Sequence, residues 1–201
     1  MAGADEIYER YLTRAIRDIN ALHDEIGSCT LVDHPLHAPV LGSGHPLGDV
    51  MLLKYRPQPS EIEEGVAFYG RAGQAVLKSL RRLGIDPLVI YGTNCVKCAD
   101  GDPDRAAAAC PAWLLRELAI VQPKIVVCMG EEAAETLNDL GLSLAEPLDP
   151  SRMGEVQRLT PSIEALVTPD IDASLDTEDA KRAFWSAFKA LGAWWSALPP
   201  Y

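Results

Sequence analysis

No apolar run in this sequence approaches the ~20 residues needed to cross a bilayer, and Met1–Arg10 is acidic where a leader would be basic and then apolar. The chain is therefore expected to be cytoplasmic and away from membranes. Fifteen glycines and fifteen prolines in 201 residues, without repeats, are too few for a collagenous or low-complexity chain. Five cysteines make an odd number, which argues against a disulfide framework and leaves buried thiols or metal ligands. Cys128, inside the apolar run from Lys124 to Met129, reads as a small core residue. Positive charge is also scarce, with 18 basic against 29 acidic residues and a net charge of −11. Thirteen acids face only Arg152 and Arg158 between Glu131 and Ala180, so any nucleic-acid surface starts at an electrostatic disadvantage. The one compact basic island, Arg71, Lys78, Arg81 and Arg82, has the spacing of a solvated helix face.

What is present is a chain 48% apolar and long enough for one α/β unit, taken as a single domain over residues 1–201. Ile7, Tyr8, Tyr11, Leu12, Ile16, Ile19, Leu22 and Ile26 recur at helical steps before Gly27, predicting a helix over 4–27 that packs on the core. Residues 28–48 carry Pro, Gly and His without periodicity and read as a long irregular connection. Beyond them, apolar runs at Val50–Leu53, Leu88–Tyr91, Ile125–Met129 and Ile163–Val167 predict buried strands. Helical patterns fall at Gly73–Leu83, Ala106–Val121, Glu131–Leu140 and from about Asp176 onward. This alternation predicts an α/β fold, a three-layer α/β/α sandwich around a central, mostly parallel four-stranded sheet. Trp185, Trp194 and Trp195 cannot share one face of the last helix, so at least one is expected to be exposed.

Ligands of such sheets lie beyond the carboxyl ends of the strands. That directs attention to Lys54–Pro59, Gly92–Cys98, Gly130–Glu132 and Thr168–Asp172. Gly70 and Gly73 sit where backbone amides can approach an anion at a helix start, although a glycine pair at that spacing is common. Asn94 falls at a strand end, where its amide can donate and accept as a pyrimidine edge requires. By residue type alone, an asparagine there is more often a turn or cap.

The segments Cys29-Thr-Leu-Val, Phe68-Tyr-Gly-Arg-Ala-Gly-Gln74, Val89-Ile-Tyr-Gly-Thr-Asn-Cys-Val-Lys-Cys98, Cys110, Gln122-Pro-Lys-Ile-Val-Val-Cys-Met-Gly130 and Thr168-Pro-Asp170 occur in an order that resembles the uracil-DNA glycosylase superfamily, and within it the family 4 iron–sulfur type. The resemblance implies that Phe68 stacks on a flipped uracil and Asn94 reads its edge. The family's Gly-Glu-x-Pro-Gly motif falls on Lys54, Tyr55, Arg56, Pro57 and Gln58, keeping only Pro57 as a base-pocket residue. Its His-Pro-Ser motif falls on Thr168, Pro169 and Asp170. Tyr55, Arg56 and Thr168 thus stand as the replacements at catalytic positions. For the family's four-iron, four-sulfur cluster, Cys29, Cys98 and Cys110 answer three ligand places, while Val32 stands at the fourth. Completing the set would call on Cys95, Asp33 or His34, and three ordinary buried thiols are the alternative.

Breaking an N-glycosidic bond develops positive charge on the sugar and negative charge on the departing base, and both helper groups have changed. Each such loss is worth on the order of 10²-fold in rate. The expectation is a glycosylase-like protein of base-excision repair that recognises a flipped uracil or related base with slow hydrolysis. The alternative is an inactive homologue that binds nucleic acid or protein. Asp170 and Asp172 would oppose a DNA phosphate, with Lys54 and Arg56 available to compensate. DNA, disfavoured by the net charge, and a protein are the candidate partners, and a monomer is expected.

Overall fold

A computed structural model of the chain describes residues 2–30, 38–98 and 102–199. Its sheet contains β1 (Ser43–Gly44), β2 (Val50–Lys54), β3 (Ile90–Asn94), β4 (Ile125–Met129), β5 (Val156–Arg158) and β6 (Glu164–Thr168). The order is β1-β3-β2-β4-β6-β5; the inner four strands run parallel, and β1 and β5 pair antiparallel at the edges. The sheet therefore has six strands rather than the expected four. The inner strands are the four apolar runs, whereas edge strands of two and three residues are too short to show a period.

The helices are α1 (Ala2–Gly27), α2 (Pro59–Glu64), α3 (Arg71–Arg82), α4 (Pro103–Ala109), α5 (Pro111–Val121), α6 (Glu131–Asp139), α7 (Ile171–Ser174) and α8 (Glu178–Ala197). The strand expected at Leu88–Tyr91 begins two residues later. Asp86 accepts the Leu88 N–H at 2.9 Å and Pro87 presets the backbone, so Pro87–Val89 forms a 3₁₀ turn instead. The helix expected over Ala106–Val121 is two helices meeting at Cys110, because Pro111 has no N–H with which to continue the first.

Alternation along the strands divides the core. Met51, Leu53, Tyr91, Val126, Cys128 and Val167 pack with Ile19, Leu22 and Ile26 of α1 and with α5 and α6. Val50, Leu52, Ile90, Val127, Met129 and Leu166 face α3, α7 and α8, where Phe184 and Phe188 stack with centroids 5.1 Å apart. Trp185, Trp194 and Trp195 are all half-buried rather than exposed. Trp194 Nε1 donates to Glu164, and Arg82 stacks on Trp185. No helix among the described residues is long and apolar enough to cross a membrane.

A buried polar cluster lies beneath the first of these two faces. Lys97 bonds Glu117 at 2.5 Å and also Thr93, while Tyr91 and Thr93 each donate to Glu117 at 3.0 Å. His23 of α1 packs within reach of this cluster, its Nε2 buried without a partner among the described residues. Burial foremost, and then Lys97, lower its pKa below the ordinary 6.5 against the opposing pull of Glu117 and Asp24. The fold thus favours the neutral ring, whereas the unfolded chain takes up the proton first as pH falls. Stability should be fully present above pH 6.5 and decline as pH falls through and below that value. Denaturant titrations between pH 8 and pH 5 check this, and His23→Leu should flatten the profile.

Candidate functional site

The carboxyl ends of the inner strands form one lateral row. Lys54 lies opposite Asn94 on one side and Met129 on the other, and Met129 lies opposite Thr168. Residues paired across neighbouring strands leave the same side of the sheet, so these four side chains share the face covered by α3 and α7. Phe68 lies on that face too. Its ring rests on Gly92, two residues before Asn94, and a Cβ at Gly92 would come 2.7 Å from Phe68 Cδ2.

Phe68 is held there by backbone conformation rather than by apolar packing alone. Its φ of 61° lies in the left-handed region that bulky residues avoid. Glu61 secures it by accepting the Phe68 N–H, and Gly73 leaves room for the Phe68 carbonyl, which a Cβ there would overlap. The same Glu61 carboxylate accepts the Gln58 N–H at 2.7 Å, closing the first turn of α2. Nothing in the sequence reading singled out Glu61. The available signal was an acid just inside a proline-led helix start.

Lys54 is the second unforeseen feature. It is fully buried rather than free to meet a phosphate, with Nζ 2.7 Å from Glu61 and 2.7 Å from Asp172. Its ammonium lies 5.3 Å from the Phe68 ring centroid. Asp172 is thereby partly neutralised from within, and Asp170 caps α7 by accepting the Ala173 N–H at 2.8 Å. Asn94 is fully buried, yet neither its Oδ1 nor its Nδ2 has a hydrogen-bond partner among the described residues. An orphaned buried amide is costly, about 1–3 kcal/mol, and native structures seldom leave one without a reason.

The remaining candidate residues are placed elsewhere or engaged otherwise. Tyr55 follows Lys54 onto the opposite face, where it packs near Val96 and Cys98, and Arg56 stacks on it at 5.0 Å. Tyr55 lines a cavity of about 460 Å³ with Cys95, Glu132 and Asp139, separate from Phe68 and Asn94. Pro57 is half-buried in the loop before α2. Thr168 is buried and donates to the Pro169 carbonyl at 3.1 Å. Phe68 itself lines an apolar cavity of about 230 Å³ with Gly92, Ile90 and Val76, whose lining does not include Asn94.

Among the cysteines, Cys98 and Cys110 approach to 3.6 Å between sulfurs. The hydrogen bond from Cys98 lowers the Cys110 thiol below its ordinary value, while the same contact and burial push Cys98 up. Cys29, half-buried after α1, lies close enough to add to that upward push. Burial raises Cys95 to about 12. Val32, Asp33 and His34 lie outside the described residues. A four-iron cluster of the usual kind takes four thiolates, and no group of three or more His, Cys, Asp or Glu among the described residues can hold a metal ion. The described residues alone do not supply the ligand set of such a cluster.

The family model described as Uracil DNA glycosylase superfamily matches residues 41–191. The chain belongs to that superfamily. It is 33% identical over 139 residues to the type-4 uracil-DNA glycosylase of Pyrobaculum aerophilum, covering 65% of this chain and 70% of the relative. To the type-4 enzyme of Archaeoglobus fulgidus it is 27% identical over 180 residues, covering 84% and 88% respectively. To that of Thermotoga maritima it is 30% identical over 118 residues, covering 55% and 60%. The superfamily segment includes the whole row of strand ends, Glu61, Phe68 and α7.

Proposed function

We propose that this protein recognises a uracil or closely related base extruded from DNA, stacking it on Phe68 and reading its edge with Asn94, and that its hydrolysis of the glycosidic bond is slow. The observation that carries this reading is the orphaned amide of Asn94 on the same side of the sheet as an aromatic ring held in a strained backbone conformation. A neutral amide can complement both the carbonyl and the N–H of a pyrimidine edge, and any base face can stack on phenylalanine. The relatives are type-4 uracil-DNA glycosylases, which supports the same substrate.

Slow turnover follows from where the carboxylates and the hydroxyl are engaged. Glu61 is bound to Lys54 and two backbone N–H groups, and Asp172 is bound to Lys54. Thr168 offers a neutral hydroxyl, already donating to Pro169, where charge on the leaving base would need a stronger partner. The decisive assay incubates stoichiometric protein with a single-stranded oligonucleotide carrying one uracil and reads abasic sites by alkaline cleavage. Slow excision that disappears in Phe68→Ala and Asn94→Ala is the expected result. Absence of excision together with equal affinity for uracil- and thymine-containing strands would overturn the proposal.

A further inference from the structure

We infer that Lys54 controls admission to the slot between Phe68 and Asn94: its side chain stands in that slot, and a base enters only when the lysine swings away from Asp172. This inference rests on the reading of Phe68 and Asn94 proposed above. Lys54 and Asn94 are direct neighbours across β2 and β3, so their side chains leave the sheet side by side. The lysine then reaches the face of Phe68, with Nζ 5.3 Å from the ring centroid. A base stacked on that ring would lie at ordinary contact distance, ~3.5–4.0 Å, within the volume the lysine chain and ammonium now use.

The two carboxylates holding Lys54 are unequal. Glu61 is fully buried and also fixed by the backbone N–H groups of Gln58 and Phe68. Asp172 has 18% of its side chain exposed and lines an open groove of about 710 Å³ with Tyr69, Arg71 and Asp176. Asp172 is therefore the partner that releases, and Glu61 the one that retains the ammonium after it moves. In the closed arrangement Lys54 satisfies its own charge but leaves the Asn94 amide unbonded. A ligand bonding that amide must compete with the Lys54–Asp172 bridge, and its apparent affinity is its affinity for the open form multiplied by the fraction of molecules in which the bridge is open.

The test measures affinity for labelled single strands that differ only in uracil or thymine at one position, using the wild type, Asp172→Asn, Lys54→Ala and Lys54→Ala/Glu61→Gln. The double variant removes the buried carboxylate that Lys54→Ala would leave unpaired, and Asp172→Asn keeps the Lys54–Glu61 pair intact, so a folded variant is at hand even if the single lysine change unfolds. The expected result is a uracil preference raised by about tenfold or more when Lys54 is removed, raised to a lesser degree by Asp172→Asn, and abolished when Asn94→Ala is added to either background. Folded variants whose preference equals that of a wild type retaining Asn94-dependent binding would overturn this inference and leave the proposed function standing. Absence of an Asn94-dependent preference in every protein, wild type included, would overturn both.

Discussion

Asn94→Ala should abolish discrimination between uracil- and thymine-containing strands while leaving the folded protein as stable as before, or slightly more so. A good two-point contact to a base edge contributes about 1–3 kcal/mol of discrimination, so the affinity ratio should fall by roughly 10- to 100-fold. The stability half of the expectation is the more unusual. Truncating a buried, hydrogen-bonded asparagine normally destabilises, but this amide bonds nothing among the described residues, and removing it relieves the desolvation of two polar atoms. Paired measurements, thermal unfolding and strand-binding titration on the same preparations, check it. A large fall in Tm would mark Asn94 as a structural residue.

Glu117→Ala should produce a large loss of stability. It strips partners from Tyr91, Thr93 and Lys97 together, leaving an ammonium buried without a counter-charge. Breaking such a pair from one side costs about 3–5 kcal/mol, which for a chain of this size lowers Tm by roughly 10 °C. Replacing both charges, as Lys97→Met/Glu117→Leu, should restore much of the loss, because the penalty is that of the unpaired ion rather than of the missing bridge. Calorimetric unfolding of the three variants separates these outcomes. The functional consequence is indirect: Thr93 immediately precedes Asn94 in β3 and Lys97 follows three residues later, so the cluster anchors the strand end that presents the amide.

The inner sheet was legible in the sequence because buried parallel strands must be apolar on both faces, and four such runs stand out between helical periods. Asn94 could be nominated as a strand-end amide, whereas Phe68 was marked only by the resemblance to the superfamily. The interior of the site was not legible. A lysine closing an apolar strand looks like the start of a solvent-facing loop, and nothing nearby shows that Lys54 is met by carboxylates 7 and 118 positions away. Phe68's left-handed backbone is equally invisible, because it is imposed by Glu61 and by the space at Gly73 rather than preferred by phenylalanine. Tyr55 and Arg56 were nominated by motif position, yet strand alternation sends Tyr55 to the opposite face. The charge reading missed a related feature. Asp172 was set against a DNA phosphate with Lys54 free to compensate, but Lys54 is buried and shared between Asp172 and Glu61, which leaves the three groups with one net negative charge.

The most direct measurement places a fluorescent 2-aminopurine beside a single uracil in a DNA strand and follows its emission as the protein is added. Extrusion of the uracil onto Phe68 unstacks the reporter, so emission should rise for uracil strands with the wild-type protein and stay flat for thymine strands, for Phe68→Ala and for Asn94→Ala. An equal rise with thymine, or a rise that survives both substitutions, would contradict the claim that these two side chains jointly hold an extruded base.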